Sequence, residues 1–436
     1  MANPLQLLRR PDKWYLGGGN RLQYAPRFPL FTERPGFWDE ASYYNYDLRP
    51  LFTWTLLDNG GNEIPLACVR RSWDPSALTL RYTTGSPSVG LAISEERSVL
   101  PNDVAVSTIR LRNATRKLRV LHIVAWSALE HAPDHQTAWV EEFTQAQGSF
   151  SFIRHSRPPG RPDLACGVAF GANRPVRSYS ASLSEGMLPP PQWGLTPFQE
   201  SFRHGRLPER ISLNGVAPAG VLFLAIHVRV QIRPMSETSL SFGMALGPSV
   251  AEAKLNVHAA LNQNDPVSLS RAQWKDHFAS VPHFTCSDPY LAHAFRHRWY
   301  GLRLNTIYGS DGNYEHPAVC EGIGYFRAPI AYSAPCHILE NRWMHDPDLA
   351  RGSLLTFLHN QREDGSFRGY IDPFHYRGET RGSESAEPFY HARWGEALRA
   401  LDLVYPSPEF LSSAYEGLKR YAAYFDRKRD PEASGL

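Results

Sequence analysis

The sequence predicts a multidomain protein of the β + α class, with a large antiparallel β-sandwich in residues 1–265 and helical hairpins in residues 287–436. Two observations predict this fold. Through the first part, apolar and polar residues alternate with a period of two, as in strands with one buried face. In the second part, apolar residues recur every three or four positions, as in amphipathic helices. Residues 266–286 are predicted to form a helical linker between the two parts.

The strand segments of the first part are rich in β-branched and aromatic residues. They read ALTLRYTT, VGLAISEERSVL, VAVSTIRLRN, LRVLHIVAW, GVLFLAIHVRVQI and TSLSFGMALG. Turn clusters such as DNGGNE, ATRK and SRPPGRPD separate these and neighbouring segments. No helical stripe longer than about ten residues interrupts the pattern. We therefore predict β structure as far as residue 265.

Three helices of the second part are predicted to begin with one formula. It reads SDPYLAHAF at 287, HDPDLARGS at 345 and PSPEFLSSA at 406. Asp288, Asp346 and Ser407 would cap the helices, and the proline after each would occupy the first helical position. The spacing of these caps, near 60 residues, fits a helical hairpin with a long loop. The predicted helices span 288–308, 335–344, 346–360, 387–404 and 408–425.

Composition narrows the classes of function. The hydrophobic fraction of 42% and charged fraction of 20% are those of a globular protein. A net charge of +3 with no block of like charges argues against a nucleic-acid partner. The N-terminal apolar patch is too short for a signal peptide, and no apolar run has the roughly 18 residues of a membrane span. We therefore predict a cytoplasmic protein with no membrane partner.

The cysteine pattern indicates neither a disulfide framework nor a zinc site. The number of cysteines is odd, they are widely spaced, and none forms a C-x-x-C pair; they are Cys68, Cys166, Cys286, Cys320 and Cys336. We predict no metal and no cofactor.

Two long loops of the helical part, 309–334 and 361–386, come at the same stage of successive repeats. They are therefore predicted to lie on the same rim of the helical assembly, where loops commonly carry function. Both contain carboxylates, arginines and aromatic rings. This set of groups suits carbohydrate, whose hydroxyls need paired hydrogen bonds and whose C–H faces stack on rings.

The stretch RWMHDPDLARGSLLTFLHNQREDGSFRGYI resembles the (α/α)6-barrel glycoside hydrolases with an N-terminal β-sandwich. The likeness is greatest to glycoside hydrolase family 63 and the trehalases, in which an Asp-Pro-x-x-Ala helix precedes a Gln-x-x-Asp-Gly loop. Here these motifs are the segment 346–350, then Gln361, Asp364 and Gly365. The N-terminal stretch RPGFWDEASYYNYDLRPLFTWTLLDNGGNEIPL looks like the sandwich domain of such enzymes. The resemblance implies that residues 287–436 form an incomplete (α/α)6 barrel.

The chain departs from the family pattern in two places. The loop before helix 335–344 lacks the family's acidic residue, and residues 370–373 read Tyr-Ile-Asp-Pro where relatives have Ile-Pro-Asn-Gly. A barrel of six hairpins needs roughly 360 residues at this repeat length. The resemblance therefore implies the N-terminal part of a longer protein. The rest of the barrel, in the same or a partner chain, would then carry part of the catalytic apparatus beyond Leu436.

Within the rim loops and the helix that follows, Asp372 and Glu387 are the candidate catalytic carboxylates. The candidate substrate-binding residues are Tyr325, Arg327, Tyr332, Gln361, Asp364, Tyr370, His391 and Trp394. Each has a structural alternative. Asp364 could shape an Asp-Gly turn and Arg327 could form an internal ion pair, while the rings and His391 could belong to the core.

Three functions fit these residues. The first is a glycoside hydrolase of inverting mechanism, in which one carboxylic acid protonates the glycosidic oxygen and a second carboxylate activates water. The second is a glycoside phosphorylase of the same architecture, with HYRGETRGSES at 375–385 as a phosphate-binding loop. The third is a non-catalytic carbohydrate-binding or assembly subunit whose barrel a partner chain completes.

Overall fold

The computed structural model describes most of the 436 residues. The described residues are 8, 14–26, 32–38, 41–48, 51–85, 90–130, 137–146, 148–157, 164–185, 202, 205–207, 211–212, 220–309, 312–323, 327–373 and 393–434. They fall into two compact units. The first contains most residues up to Lys275, and the second begins at Asp276 and also includes the short segment Tyr44–Tyr46.

Sixteen strands are found in the described residues up to 247. In chain order they are β1 (Leu22–Tyr24), β2 (Ala41–Tyr43), β3 (Tyr46–Leu48), β4 (Thr53–Leu57), β5 (Leu66–Asp74), β6 (Ala77–Thr84), β7 (Leu91–Val99), β8 (Val104–Asn113), β9 (Arg119–Glu130), β10 (Thr137–Ala146), β11 (Ser149–Arg157), β12 (Leu164–Ala172), β13 (Val176–Glu185), β14 (Ile211–Ser212), β15 (Gly220–Ile232) and β16 (Glu237–Gly247).

These strands form two large sheets and one small one. The order is β10-β11-β12-β16-β8-β7-β6-β5 in the eight-stranded sheet, β14-β13-β15-β9-β4 in the five-stranded sheet and β1-β2-β3 in the small sheet. The long strands pair antiparallel, while the two-residue strand β14 pairs parallel with β13. The predicted antiparallel β architecture of the first part is therefore confirmed.

A buried ion pair lies where the two large sheets contact each other. Glu95 and Arg97, both on β7, are fully buried, and Arg97 Nη2 is 2.7 Å from Glu95 Oε2. Glu95 also accepts hydrogen bonds from Trp54 Nε1 at 2.9 Å, the Tyr82 hydroxyl at 2.6 Å and the Ser107 hydroxyl at 2.5 Å. Burial raises the pKa of Glu95, but Arg97, Ser107 and Tyr82 outweigh burial and hold that pKa below its ordinary value. Because Trp54 belongs to β4, the pair joins the two sheets.

A histidine pair is buried on the five-stranded sheet. His122 Nδ1 lies 2.8 Å from His227 Nε2, and His227 Nδ1 lies 3.0 Å from the Ser178 hydroxyl. The Phe202 ring packs edge-on against both imidazoles. Burial, reinforced by the neighbouring imidazole and arginines, lowers the pKa of His227 to about 3. Burial also lowers the pKa of His122, so both rings are neutral in the folded protein near pH 7.

A helix inside the predicted β region corrects the sequence-based boundary. Helix α1 (Val250–Leu261) begins after Ser249, whose side chain accepts a hydrogen bond from Glu252 N. Its buried residues Ala253, Val257, Ala260 and Leu261 fall at i, i+4, i+7 and i+8, and they pack on the β core. The prediction of β structure to residue 265 is therefore wrong for this segment, because its small residues give a weak apolar stripe. Helix α2 (Val267–Ser280) follows within the predicted linker.

Five more helices are found in the described residues from 289 onward. They are α3 (Pro289–Leu304), α4 (Ala334–Asn341), α5 (Asp348–His359), α6 (Arg393–Asp402) and α7 (Pro408–Arg429). The predicted caps Asp288 and Ser407 accept hydrogen bonds from Tyr290 N and Phe410 N, as the shared formula requires. Asp346 also accepts a hydrogen bond from the amide two residues on, Asp348 N at 2.9 Å, but α5 begins only after Pro347, which takes the cap position. Within the described residues, no helix is long and apolar enough to cross a membrane.

The first helix is shorter than the predicted 288–308. It ends at Leu304, and Thr306–Ile307 forms strand β17, which pairs antiparallel with β18 (Ala318–Val319). Two consecutive β-branched residues favour the extended backbone over a further helical turn. The prediction of a helix over 288–308 is therefore wrong after Leu304. The closure of these helices into a barrel remains a prediction.

We expect Glu95→Gln to destabilise the first unit strongly. The substitution keeps the shape of the side chain but leaves the buried charge of Arg97 uncompensated, which costs about 3–5 kcal/mol. Glu96→Gln is the matched control. Glu96 is the neighbour of Glu95 on β7 and pairs with Arg110 and Arg271 near the surface, so its replacement should cost less than about 1 kcal/mol. Denaturant unfolding of both variants measures the difference, and equal losses would contradict a special role for the buried pair.

We also expect acid to destabilise the fold through the histidine pair. In the unfolded chain an imidazole takes up a proton near pH 6.5, while folded His227 stays neutral until about pH 3. The unfolded state therefore binds more protons, and the free energy of unfolding falls as the pH drops below about 6.5. His227→Gln should reduce the slope between pH 7 and 5, and His283→Gln, at an exposed position, should not. An unchanged slope in His227→Gln would refute this account.

Candidate functional site

The two long loops of the helical unit are joined by backbone hydrogen bonds. The first loop, 309–334, ends where α4 begins. The second loop, 361–386, follows α5. Three contacts join them: the Ile330–Tyr370 bridge, Ala331 N to Gly369 O at 2.8 Å and Ile371 N to Pro329 O at 3.0 Å. The described parts of both loops therefore meet at one place, here called the loop junction (residues 327–331 and 369–373).

An Asn-Tyr pair from the first loop holds the backbone of the loop junction. The amide N of Asn313 donates to Pro373 O at 2.7 Å, and Asn313 Nδ2 donates to Asp372 O at 2.7 Å. The Tyr314 hydroxyl donates to Ile371 O at 2.6 Å. Three successive carbonyls are thus fixed by two residues, so the backbone that carries Asp372 is held on both sides.

Asp372, a predicted catalytic carboxylate, is 5% exposed. Its Oδ1 accepts a hydrogen bond from Asn45 Nδ2 at 3.3 Å. Asn45 belongs to the segment Tyr44–Tyr46, which is part of the helical unit although its sequence neighbours are not. Buried polar groups need hydrogen-bond partners, and Asn45 provides one for this carboxylate.

Arg327 is also buried at the loop junction, with 1% of its surface exposed. Its Nη1 donates to the Tyr44 carbonyl at 2.9 Å. Burial raises the pKa of the Cys320 thiol to about 12 despite the nearby charge of Arg327. Burial likewise raises the pKa of Tyr314 well above its ordinary value, and the acidic groups of Cys320 and Asp372 act in the same direction. Both groups are therefore neutral, and Tyr314 acts as a hydrogen-bond donor.

Gln361 and Asp364 stabilise the turn that follows α5, and Gln361 also binds the backbone of α7. Gln361 Nε2 donates to the carbonyls of Gly365 and Gly417, each at 2.8 Å. Asp364 Oδ1 accepts from Ser366 N at 2.9 Å and from its hydroxyl at 2.7 Å. Burial raises the pKa of Asp364, but the Ser366 hydrogen bonds outweigh burial and lower that pKa overall. These contacts fit the turn-forming alternative, and substrate contact by either residue remains a prediction.

The predicted rings have different surroundings. Trp394 is 2% exposed and packs against Phe357 and Phe367, with ring centroids 5.1 Å and 5.2 Å away. These contacts are those of a core residue. Tyr332 is 60% exposed in the first loop, and half-buried Tyr370 takes part in the backbone bridge of the loop junction. Tyr332 therefore offers the more accessible face for stacking.

Three predicted site residues, Tyr325, Glu387 and His391, lie outside the described residues, as does the loop 375–385. In the described part of the chain, no group of three or more His, Cys, Asp or Glu side chains could hold a metal ion. The sequence reasoning did not select Asn45, Asn313 or Tyr314. Asn45 lies in the stretch YYNY at 43–46, and nothing in its local pattern connects it with residue 372.

No family model matches the chain, and no curated protein matches it in sequence. Solved structures do match. A protein assigned as a kojibiose phosphorylase, from the human microbiome, has a TM-score of 0.53 and 8% identity, over 92% of this chain and 58% of that protein. A family GH92 α-mannosidase from Bacteroides thetaiotaomicron has a TM-score of 0.51 and 8% identity, over 98% of this chain and 64% of that enzyme.

The present chain thus spans less than two thirds of the length of either neighbour. At 8% identity the likeness concerns the fold and not the individual side chains. The particular resemblance to glycoside hydrolase family 63 remains a prediction. The comparisons show that this chain has the fold of enzymes named for the glycosides on which they act.

Proposed function

We propose that this chain belongs to an enzyme that cleaves glycosidic bonds and that its candidate site lies at the loop junction. The observation that carries the proposal is Asp372, a carboxylate that is 5% exposed on a backbone held by Asn313 and Tyr314. Acid–base chemistry requires a carboxylate that is held in a fixed position. The fold shared with two glycoside-active enzymes supports a carbohydrate substrate.

The mechanism proposed is hydrolysis with inversion. A carboxylic acid donates its proton to the glycosidic oxygen as the bond from the anomeric carbon breaks. A second carboxylate removes a proton from water, whose oxygen attacks that carbon from the opposite face. In inverting enzymes the two carboxyls are about 6.5–9.5 Å apart, which leaves room for the water. Asp372 is the candidate for one of these roles and Glu387 for the other.

The remaining residues suit substrate binding. The exposed ring of Tyr332 could stack on the C–H face of a sugar. Tyr370 belongs to the loop junction through its bridge with Ile330. Arg327 contributes indirectly in this proposal, because its guanidinium holds the Tyr44 carbonyl.

A phosphorylase is the second candidate, and the likeness to the protein assigned as a kojibiose phosphorylase favours it. In that reaction inorganic phosphate replaces water as the nucleophile, and the product is a sugar phosphate. A phosphate site needs arginine or hydroxyl donors near the carboxylate. The loop 375–385 contains two arginines and two serines that could provide them.

We expect Asp372→Ala to weaken sugar binding by about 10- to 100-fold, the cost of a lost hydrogen bond to a charged group. The chain is titrated with α- and β-glucosides, mannosides and trehalose, and binding is followed by calorimetry. Asp276→Ala, at an exposed position on α2, is the control and should bind as the unsubstituted chain does. Failure of every sugar to bind, or full affinity in Asp372→Ala, would sink the proposal.

We expect turnover to distinguish the two enzyme classes. If the enzyme is a hydrolase, release of reducing sugar is unchanged when phosphate is removed from the buffer. If it is a phosphorylase, turnover depends strictly on phosphate and a sugar phosphate accumulates. Both products can be quantified in the same reaction by anion-exchange chromatography. Sugar binding without turnover under either condition would favour the non-catalytic subunit.

A further inference from the structure

Tyr44 and Asn45 form the two-residue turn between β2 and β3, where one or both residues commonly adopt a positive φ. Tyr44 has a φ of 53°, in the left-handed region that favours glycine. A bulky residue in this region costs about 1–3 kcal/mol and persists only where its surroundings hold it. Such residues are concentrated at functional sites.

Two contacts from the helical unit hold Tyr44. Arg327 Nη1 donates to its carbonyl at 2.9 Å, and its ring packs against that of Tyr314 with centroids 5.4 Å apart. All three side chains are at most 1% exposed. The same Tyr314 fixes the carbonyl of Ile371, one residue before Asp372. One buried cluster therefore fixes both the segment that carries Asn45 and the segment that carries Asp372.

The turn at Tyr44 places Asn45 beside Asp372. It is 3% exposed, and its Nδ2 donates to Asp372 Oδ1 at 3.3 Å. The two residues are 327 positions apart in the chain. An amide donor fixes the plane of a carboxylate and adds no charge, whereas a lysine or arginine would neutralise it.

We propose that Asn45 is a positioning residue of the carbohydrate site: its amide orients the Asp372 carboxylate, and Arg327 and Tyr314 hold the strained Tyr44 backbone that carries it. The inference rests on the proposed role of Asp372 in carbohydrate binding. It assigns Arg327 a function through Tyr44 and not through direct contact with the sugar. It also assigns part of the site to a short segment of the N-terminal sequence.

The test is a double-mutant cycle on sugar affinity. The ligand is the glucoside, mannoside or trehalose that binds the unsubstituted chain most tightly. Asn45→Ala should lower the affinity about tenfold, as expected for loss of one hydrogen bond to a charged group. In an Asp372→Ala background, Asn45→Ala should have no further effect, because the group that it orients is gone. Circular dichroism and thermal melting show whether each variant is folded.

The chain offers a matched control for Asn45→Ala. Asn62 Nδ2 donates to both carboxylate oxygens of Asp58, at 3.3 Å and 3.1 Å, in an exposed turn of the other unit. Asn62→Ala should leave sugar affinity unchanged. Asn45→Asp keeps the size of the side chain but removes its donor, so it should weaken binding at least as much as Asn45→Ala. If Asn45→Ala does not fold, Asn45→Asp is used to test the proposal.

Each outcome decides between the proposals. Full affinity in Asn45→Ala, with a loss in Asp372→Ala, overturns the positioning role and leaves the proposed function intact. An equal loss from Asn45→Ala in both backgrounds shows a general structural effect and also overturns it. Full affinity in Asp372→Ala, or no sugar binding by the unsubstituted chain, overturns the proposed function and the positioning role together.

Discussion

The candidate site depends on the backbone hydrogen bonds that join the two loops at the loop junction. These loops are separated by the whole of α4 and α5, and closing such a loop costs conformational entropy. Backbone polar groups inside an irregular, buried segment must still find partners. The backbone hydrogen bonds between the loops supply some of these partners. The side chains of Asn313 and Tyr314 supply others, by donating hydrogen bonds to the carbonyls of Asp372 and Ile371. The same bonds that satisfy the loop therefore fix the carboxylate that it carries.

Two buried carboxylates, Glu95 and Asp372, are held by different kinds of partner. Glu95 is 0% exposed, pairs directly with Arg97 and accepts from several neutral donors, which is the arrangement of a structural ion pair. Asp372 is held through an amide and a fixed backbone at the meeting of two loops. The first arrangement stabilises the contact between two sheets. The second keeps a carboxylate oriented at the meeting of two loops.

The fold is shared with glycoside-active enzymes at only 8% identity. Local features of the helices explain why the fold can be kept with so little sequence identity. Each helix requires a cap, such as Asp288 or Ser407, and an apolar stripe, such as Trp394, Ala397, Leu398 and Leu401 on α6. Many residues can meet these requirements, so the architecture tolerates extensive substitution. A site requires particular groups at particular distances, which is why the fold and the proposed chemistry need separate tests.

The sequence by itself determined the two-part architecture, because alternation and capping are local patterns that act over a few residues. It also predicted that the loops after α3 and α5 lie together, since the repeat spacing implies it. Tertiary structure alone decided that α1 interrupts the β region, that Arg327 is buried against Tyr44, and that Asn45 meets Asp372. These contacts join residues tens to hundreds of positions apart, and neither partner carries a local signal of the other. Such pairings depend on how the whole chain packs, and only the folded structure reveals them.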